Sequence, residues 1–189
     1  MKQFGFVVLL LSTTMLGACG TMHPVNFLPK EVPSTSKPLT DAALTEIVVT
    51  KASESVHGVF EPESFRIALE QVLRRSNLFG EQKSMNLRLI AHVSKFSSSG
   101  ITNVDVEFNA QYKLIDGAED ILYAGEINST GHTTFSDGFR GVQRVYTAWA
   151  RARESHMNEL VESLKKTLSE SKSSSLPKDE HKAIGEVEK

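Results

Sequence analysis

The clearest pattern in the chain is an unbroken alternation of apolar and polar residues from Val104 to Leu114. Successive side chains of a strand point to opposite faces of a sheet, so this stretch predicts a strand with one dry and one wet face. A strand covered on both sides in a parallel sheet would be apolar at nearly every position, so the alternation favours an antiparallel sheet. The apolar positions are Val104, Val106, Phe108, Ala110, Tyr112 and Leu114.

Shorter stretches on both sides predict three further strands. The residues from Leu87 to Val93 repeat the period of two, and Ser97-Ser98-Ser99-Gly100 supplies a turn before the long strand. The pair Asp116-Gly117 turns the chain after Leu114 into a strand that holds Ile121, Tyr123 and Ile127. The β-branched run Ile47-Val48-Val49 predicts the first strand of the sheet.

Two stretches follow the helical period instead. The first begins near Pro62, has apolar residues at Phe65, Ala68, Leu69, Val72 and Leu73, and is expected to end at Gly80. The second is long and runs from Tyr146 to Leu168 with apolar residues three and four positions apart. The predicted fold is therefore α+β, in the order β-α-β-β-β-α, with both helices packed on one face of a small antiparallel sheet.

The first residues have the features of a bacterial lipoprotein signal. Lys2 precedes an apolar stretch, and the run Leu16-Gly17-Ala18-Cys19 follows it. The stretch from Phe4 to Ala18 is shorter than the roughly 20 apolar residues of a membrane-spanning helix. We therefore predict a cleaved signal peptide over residues 1–18 and acylation of Cys19, which is the only cysteine. The alternative is an ordinary cleaved signal peptide with a coincidental cysteine.

The remaining chain divides into three parts. Residues 19–44 hold four of the six prolines and several serines and threonines, which predicts a tether that starts at the lipidated cysteine. Residues 45–168 form the predicted periplasmic α+β domain. Residues 169–189 are polar and lack a sustained apolar period, which predicts a disordered tail.

Bacterial lipoproteins carry several acyl chains, and one acyl chain alone binds membranes only marginally. The resemblance to this class implies stable attachment to a membrane through lipid. Many enteric lipoproteins that stay in the inner membrane have an aspartate after the cysteine, whereas this chain has Gly20. The resemblance therefore implies the periplasmic side of the outer membrane, with the inner membrane as the alternative.

Composition and motifs argue against nucleic-acid binding and catalysis. The chain has 21 basic and 23 acidic residues, so no global field attracts an anionic polymer. Six histidines are scattered without the spacing of a metal site, and neither a nucleophile elbow nor a phosphate loop occurs. We expect no enzyme activity, no metal and no cofactor. His156 is interpreted as a packing residue, and Asp105 and Glu107 as members of a solvated strand face.

Four arginines form the one local charge feature. Arg140, Arg144, Arg151 and Arg153 occur in a short interval without an acidic residue between them. Because guanidinium groups bind phosphate and carboxylate in bidentate geometry, we consider a patch for anionic lipid headgroups or an acidic partner. The alternative is the ordinary solvated face of an amphipathic helix.

Three segments resemble the YajG-type and ABC-transport-auxiliary lipoproteins. Residues 65–79 (FRIALEQVLRRSNLF) resemble their first helix and its closing "S-x-L-F" phrase. Residues 112–116 (YKLID) are similar to their second long strand and turn, and residues 152–164 resemble their closing helix. The resemblance implies a periplasmic accessory domain without catalytic residues that docks on other envelope proteins.

The expected function is therefore that of a non-enzymatic, membrane-anchored docking module of an envelope transport or assembly machine. Its expected partners are the membrane, through the acyl chains, and an envelope protein complex that binds a sheet edge or a helix face. A carrier for lipid or glycan and a secretion-system lipoprotein remain as alternatives. A lipid carrier would have an apolar cavity under its sheet, whereas an enzyme would have a polar cleft with perturbed groups.

Overall fold

The computed structural model describes residues 28–52 and 60–174. The predicted signal peptide, Cys19 and the residues after 174 lie outside this range. The described elements follow the predicted order β-α-β-β-β-α, with one short 3₁₀ helix before the last helix. Their bounds are β1 Thr40–Lys51, α1 Pro62–Ser76, β2 Phe79–Ser99, β3 Val104–Asp116, β4 Ile121–Thr133, the 3₁₀ helix Phe135–Asp137 and α2 Gly141–Ser174.

The sheet has four strands in the order β1-β2-β3-β4. Strands β2, β3 and β4 pair antiparallel, as the alternating pattern predicts. Strand β1 instead pairs parallel with β2, so the prediction of a wholly antiparallel sheet is wrong for this pair. Helix α1 is the cause, because it carries the chain back along the sheet before β2 begins, and a parallel pair needs such a crossover.

Both helices lie on one face of the sheet, as predicted, and Phe108 of β3 contacts both. Its ring lies 5.2 Å from the ring of Phe65 in α1. The imidazole of His156 in α2 stacks on the same ring at 4.0 Å between ring centroids. The six apolar positions of the alternation in β3 are all buried. The α+β class and the layer arrangement of the sequence analysis are thereby confirmed.

The ends of several elements differ from the predictions. Helix α1 ends before Gly80, because Asn77 adopts the left-handed conformation, with φ of 53°, that closes a helix. Gly80 serves another purpose: a Cβ atom there would collide with the main chain of Asp41 in β1. Its lack of a side chain therefore permits the close pairing of β1 and β2.

The N-terminal boundary of the domain also lies earlier than residue 45. Strand β1 begins at Thr40, and Ala42 and Ala43 are buried in the core. Before the strand, the amide of Thr35 donates to the carbonyl of Ser76, and its hydroxyl donates to the carbonyl of Asn77 at 2.7 Å. The end of the segment predicted as a tether is therefore part of the folded domain. At the other end, α2 continues past residue 168 to Ser174.

Helix α2 packs closely on β4 because of a glycine. The Cβ atom of any other residue at Gly131 would collide with the carbonyl of Ala148 and come within 2.8 Å of the amide nitrogen of Ala152. The small residues on both elements let the helix backbone approach the strand. None of the helices within residues 28–52 and 60–174 is long and apolar enough to cross a membrane.

Candidate docking surface

Four large apolar side chains are exposed together at one end of the sheet. Ile101 lies in the β2–β3 connection and is 88% exposed, and Phe139 lies between β4 and α2 and is 84% exposed. Val142 in the first turn of α2 is 65% exposed, and Phe135 in the 3₁₀ helix is 53% exposed. The rings of Phe135 and Phe139 meet edge to face at 5.6 Å. We call these four residues the apolar tip.

Arg144 joins the two loops that form the apolar tip. Its side chain is only 5% exposed, although it lies in the first turns of α2. One terminal nitrogen donates to the carbonyls of Gly138 at 2.7 Å and Phe139 at 3.2 Å, and the other donates to the carbonyl of Ile101 at 2.8 Å. The guanidinium carbon also lies 5.3 Å from the centre of the Phe135 ring. One buried cation therefore fixes the main chain on both sides of the tip.

A second arginine holds the 3₁₀ helix. Arg151 pairs with the carboxylate of Asp137 at 2.6 Å and donates to the carbonyl of His132 at 2.6 Å. The amide of Thr134 donates to the same carboxylate at 2.9 Å. The bond from Arg151, followed by that from Thr134, lowers the pKa of Asp137 to about 2. The single acid of this loop is therefore ionised and paired.

The four arginines of the predicted patch do not share one surface. Arg144 and Arg153 are buried, and Arg153 donates to the carbonyl of Trp149 at 3.0 Å, while burial lowers its pKa to about 10. Arg151 is exposed but paired with Asp137. Arg140 is exposed, and within the described residues its side chain has neither a hydrogen bond nor an ion pair. The prediction of a four-arginine patch is wrong, because α2 turns two of the four toward the core.

The apolar tip itself was not found in the sequence. Its members carry a weak signal: each is a large apolar residue beside glycine or serine in a segment outside the periodic patterns. Such isolated residues are common on protein surfaces, so the pattern alone does not distinguish them. Only the fold shows that Ile101 comes beside a loop that follows it by more than thirty residues.

A buried polar cluster lies between the sheet and α2. The Nε2 atom of His156 is hydrogen-bonded to the hydroxyl of Tyr112 at 2.7 Å, and its Nδ1 atom is hydrogen-bonded to the hydroxyl of Ser129 at 3.2 Å. Burial lowers the pKa of His156 to about 3 and raises that of Tyr112 well above its usual value. All three side chains are closed off from solvent. The interpretation of His156 as a packing residue is confirmed.

The outer face of the sheet carries paired charges. Asp105 lies 2.7 Å from the ring of His132, and Glu107 pairs with Lys95. The two acids therefore belong to a solvated strand face, as interpreted from the sequence. In the part of the chain that the structure describes, no three side chains of metal-ligating type are grouped.

A groove of about 730 Å³ lies between the edge strand β1 and helix α1. Leu44, Ile47 and Leu73 contribute apolar surface, whereas Arg66 and Glu70 form a charged wall. The groove lies at the sheet edge and not beneath the sheet, where a lipid carrier would have its cavity. The pairing of β1 is irregular between Thr40 and Glu46. Such irregularity disfavours the addition of a strand at this edge.

Thr35 and Thr40 lie at the end of β2 opposite to the apolar tip. Thr35 is bonded to the end of α1, and Thr40 pairs with Phe79 at the start of β2. The tip follows the other end of β2, at Ser99. The strand between them has 21 residues. Thr35 and Thr40 therefore lie at one end of the sheet and the tip at the other.

Comparisons with known proteins give a likeness of fold. No family model and no curated protein sequence matches the chain. A Xanthomonas campestris protein of the DUF330 family has a similar structure, with a TM-score of 0.54 and 13% identity over 76% of this chain and 95% of that one. At this identity the likeness shows the shared fold alone.

Two other solved structures are less similar. A candidate lipoprotein from Caulobacter crescentus has a TM-score of 0.40 and 11% identity, and covers 64% of this chain and 90% of its own. A minor lipoprotein from Acinetobacter baumannii has a TM-score of 0.36 and 7% identity. Its match covers 69% of this chain and 96% of its own. The resemblance to the YajG-type family stays a prediction.

Proposed function

We propose that this protein is a lipid-anchored docking module of the bacterial cell envelope without enzyme activity. Acyl chains on Cys19 hold it at a membrane, on the periplasmic side of the outer membrane. The folded domain contacts a transport or assembly complex in the periplasm. The lipoprotein signal of residues 1–19 supports the anchoring part of this proposal.

The observation that carries the docking part is the position of the apolar tip. Exposed apolar residues that occur together, on loops held by buried polar contacts, are typical of interaction sites. The tip lies at the end of the sheet remote from Thr35 and from the start of β1 at Thr40. A domain held by its N-terminus can therefore offer the tip to a second molecule.

Crosslinking in the native host tests the proposal. Cells that produce the full, lipidated protein would be treated with a membrane-permeable lysine crosslinker, and its neighbours identified by mass spectrometry. The matched control is the Cys19→Ser variant. We expect one defined set of envelope proteins that is reduced in the control, because loss of the anchor removes the domain from its membrane. No protein neighbour in either strain would contradict docking.

The same preparation separates the carrier function from docking. A carrier would retain a lipid or glycan through purification, and the groove between β1 and α1 could hold one. Bound lipid or glycan without any protein neighbour would favour the carrier. A secretion-system component would instead be crosslinked to the proteins of that system.

A further inference from the structure

The apolar tip has the residue types found at the centres of protein–protein interfaces, with a positive charge beside them. Ile101 and Phe139 expose almost their full side chains, and Arg140 directly follows Phe139. Aromatic residues and arginine are the types most enriched at the centres of protein interfaces. Burial of exposed apolar residues of this size against a partner lowers the free energy of the complex.

The tip is already ordered before any partner binds. Arg144 holds the carbonyls of Ile101, Gly138 and Phe139, so the two loops cannot separate without breaking bonds to a buried cation. The loop between β4 and α2 is also closed by the pair of Asp137 and Arg151. Binding therefore does not have to order these loops, which improves affinity for a given contact area.

The charge at the tip is positive. Asp137 is neutralised by Arg151, whereas the side chain of Arg140 faces solvent without an ion pair among the described residues. Arg144 adds a second positive charge, which within residues 28–52 and 60–174 is bonded to carbonyls and forms no ion pair. A partner surface with carboxylates would be complementary to this charge.

The position and size of the tip indicate what kind of partner fits. Leu28 is the first described residue and packs against the core, and an acylated Cys19 can lie at most about 30 Å from it. Thr35, further along the same segment, is bonded to the end of α1, at the other end of the sheet from the tip. Four side chains on two loops are far fewer than the roughly 20–30 residues that each side of a standard interface holds. The tip is therefore suited to a recess and not to a flat surface.

From these observations we infer that the apolar tip inserts into an apolar recess on a periplasmic protein domain, where a carboxylate at the rim pairs with Arg140. Phe139 and Ile101 fill the recess. Arg144 acts as a positioning residue that holds both loops in place. This inference rests on the proposed docking function and adds the chemistry of the partner.

Site-specific photocrosslinking in the native host tests the inference on the full, lipidated protein. A photoreactive phenylalanine analogue replaces Phe139, and the matched control places it at Leu122, an exposed apolar residue at the other end of β4. We expect a protein adduct from position 139 and none from position 122. The crosslinked partner peptide should be apolar with an aspartate or glutamate nearby.

Charge variants of Arg140 complete the test. Arg140→Glu in the position-139 protein should reduce the adduct about tenfold, because it turns attraction to the rim carboxylate into repulsion. Arg140→Lys should retain most of it. An unchanged adduct in Arg140→Glu would overturn the inference. So would an adduct with lipid, with a second copy of this chain, or equally from both positions.

The acylation state of Cys19 is measured in the same cells. If Cys19 is unmodified, the anchoring part of the proposed function fails, while the adduct from position 139 still reports on the tip. If Cys19 is acylated and position 139 gives no adduct, the inference about the tip fails while the anchoring stands. The two failures are thus distinguishable.

Discussion

At the scale of single residues, the structure of Arg144 differs from what its sequence position predicts. It is charged, follows a glycine-rich loop and lies at the start of an amphipathic helix, features that predict a solvated side chain. In the structure, its side chain is buried and donates hydrogen bonds to three carbonyls. Its role depends on the β2–β3 connection, which is remote in sequence and becomes its neighbour only through the fold.

Arg144→Met should destabilise the domain by about 2–4 kcal/mol, because three carbonyls lose their donor while the apolar part of the side chain is kept. The matched control is Arg140→Met, which should change the free energy of unfolding by less than about 0.5 kcal/mol. Urea unfolding of the mature protein measures both. Equal stability of the two variants would show that Arg144 does not hold the loops.

His156 makes stability depend on pH in the acidic range. Its pKa is lowered from 6.5 to about 3 in the folded protein, mainly because burial disfavours the charged ring. The unfolded chain therefore binds a proton that the folded chain excludes between these values. This contribution to stability is fully present above pH 6.5 and is lost as the pH falls toward 3.

Between pH 6 and pH 4, this residue should reduce the free energy of unfolding by about 2–3 kcal/mol. The His156→Gln variant should be less stable at pH 7, since it leaves Tyr112 and Ser129 imperfectly bonded, but should lack this part of the pH dependence. Denaturant unfolding at several pH values compares the two proteins. Parallel pH profiles would mean that His156 binds a proton as readily in the folded protein as in the unfolded chain.

At the scale of elements, the periodic patterns predicted more than the local signals did. The alternation in β3 and the stripe of α1 gave the right elements, because burial on one face imposes a period that needs no knowledge of neighbours. The parallel pairing of β1 was missed because a short apolar run does not show the direction of its partner. Gly80 was taken as a helix end, whereas its role depends on Asp41 across the sheet.

The contact of α2 with β4 depends on Gly131. Gly131→Ala should destabilise the domain by about 1–3 kcal/mol, because the new methyl group meets the helix backbone at Ala148 and Ala152. Gly117→Ala is the control: its Cβ would lie 3.9 Å from the carbonyl of Asn86, so the change should stay within about 0.5 kcal/mol. Thermal unfolding ranks the variants, and a neutral Gly131→Ala would contradict the close packing.

At the scale of the whole molecule, the sequence predicted the fold better than the surface. The α+β order follows from local composition and period, whereas the lipoprotein signal lies outside the described residues and stays a prediction. The docking surface could not be predicted, because it joins residues of two loops that are distant in the chain. The predicted four-arginine patch failed for a related reason: residue type does not show which side of a helix faces the core.

The central claim is that lipid holds this domain at a membrane through Cys19. Mass spectrometry of the N-terminal peptide, from protein isolated from its native host, tests this claim most directly. We expect a mature chain that begins at Cys19 and carries a diacylglyceryl group on its sulfur. A free sulfur at Cys19, or a mature chain that begins at another residue, would contradict the account.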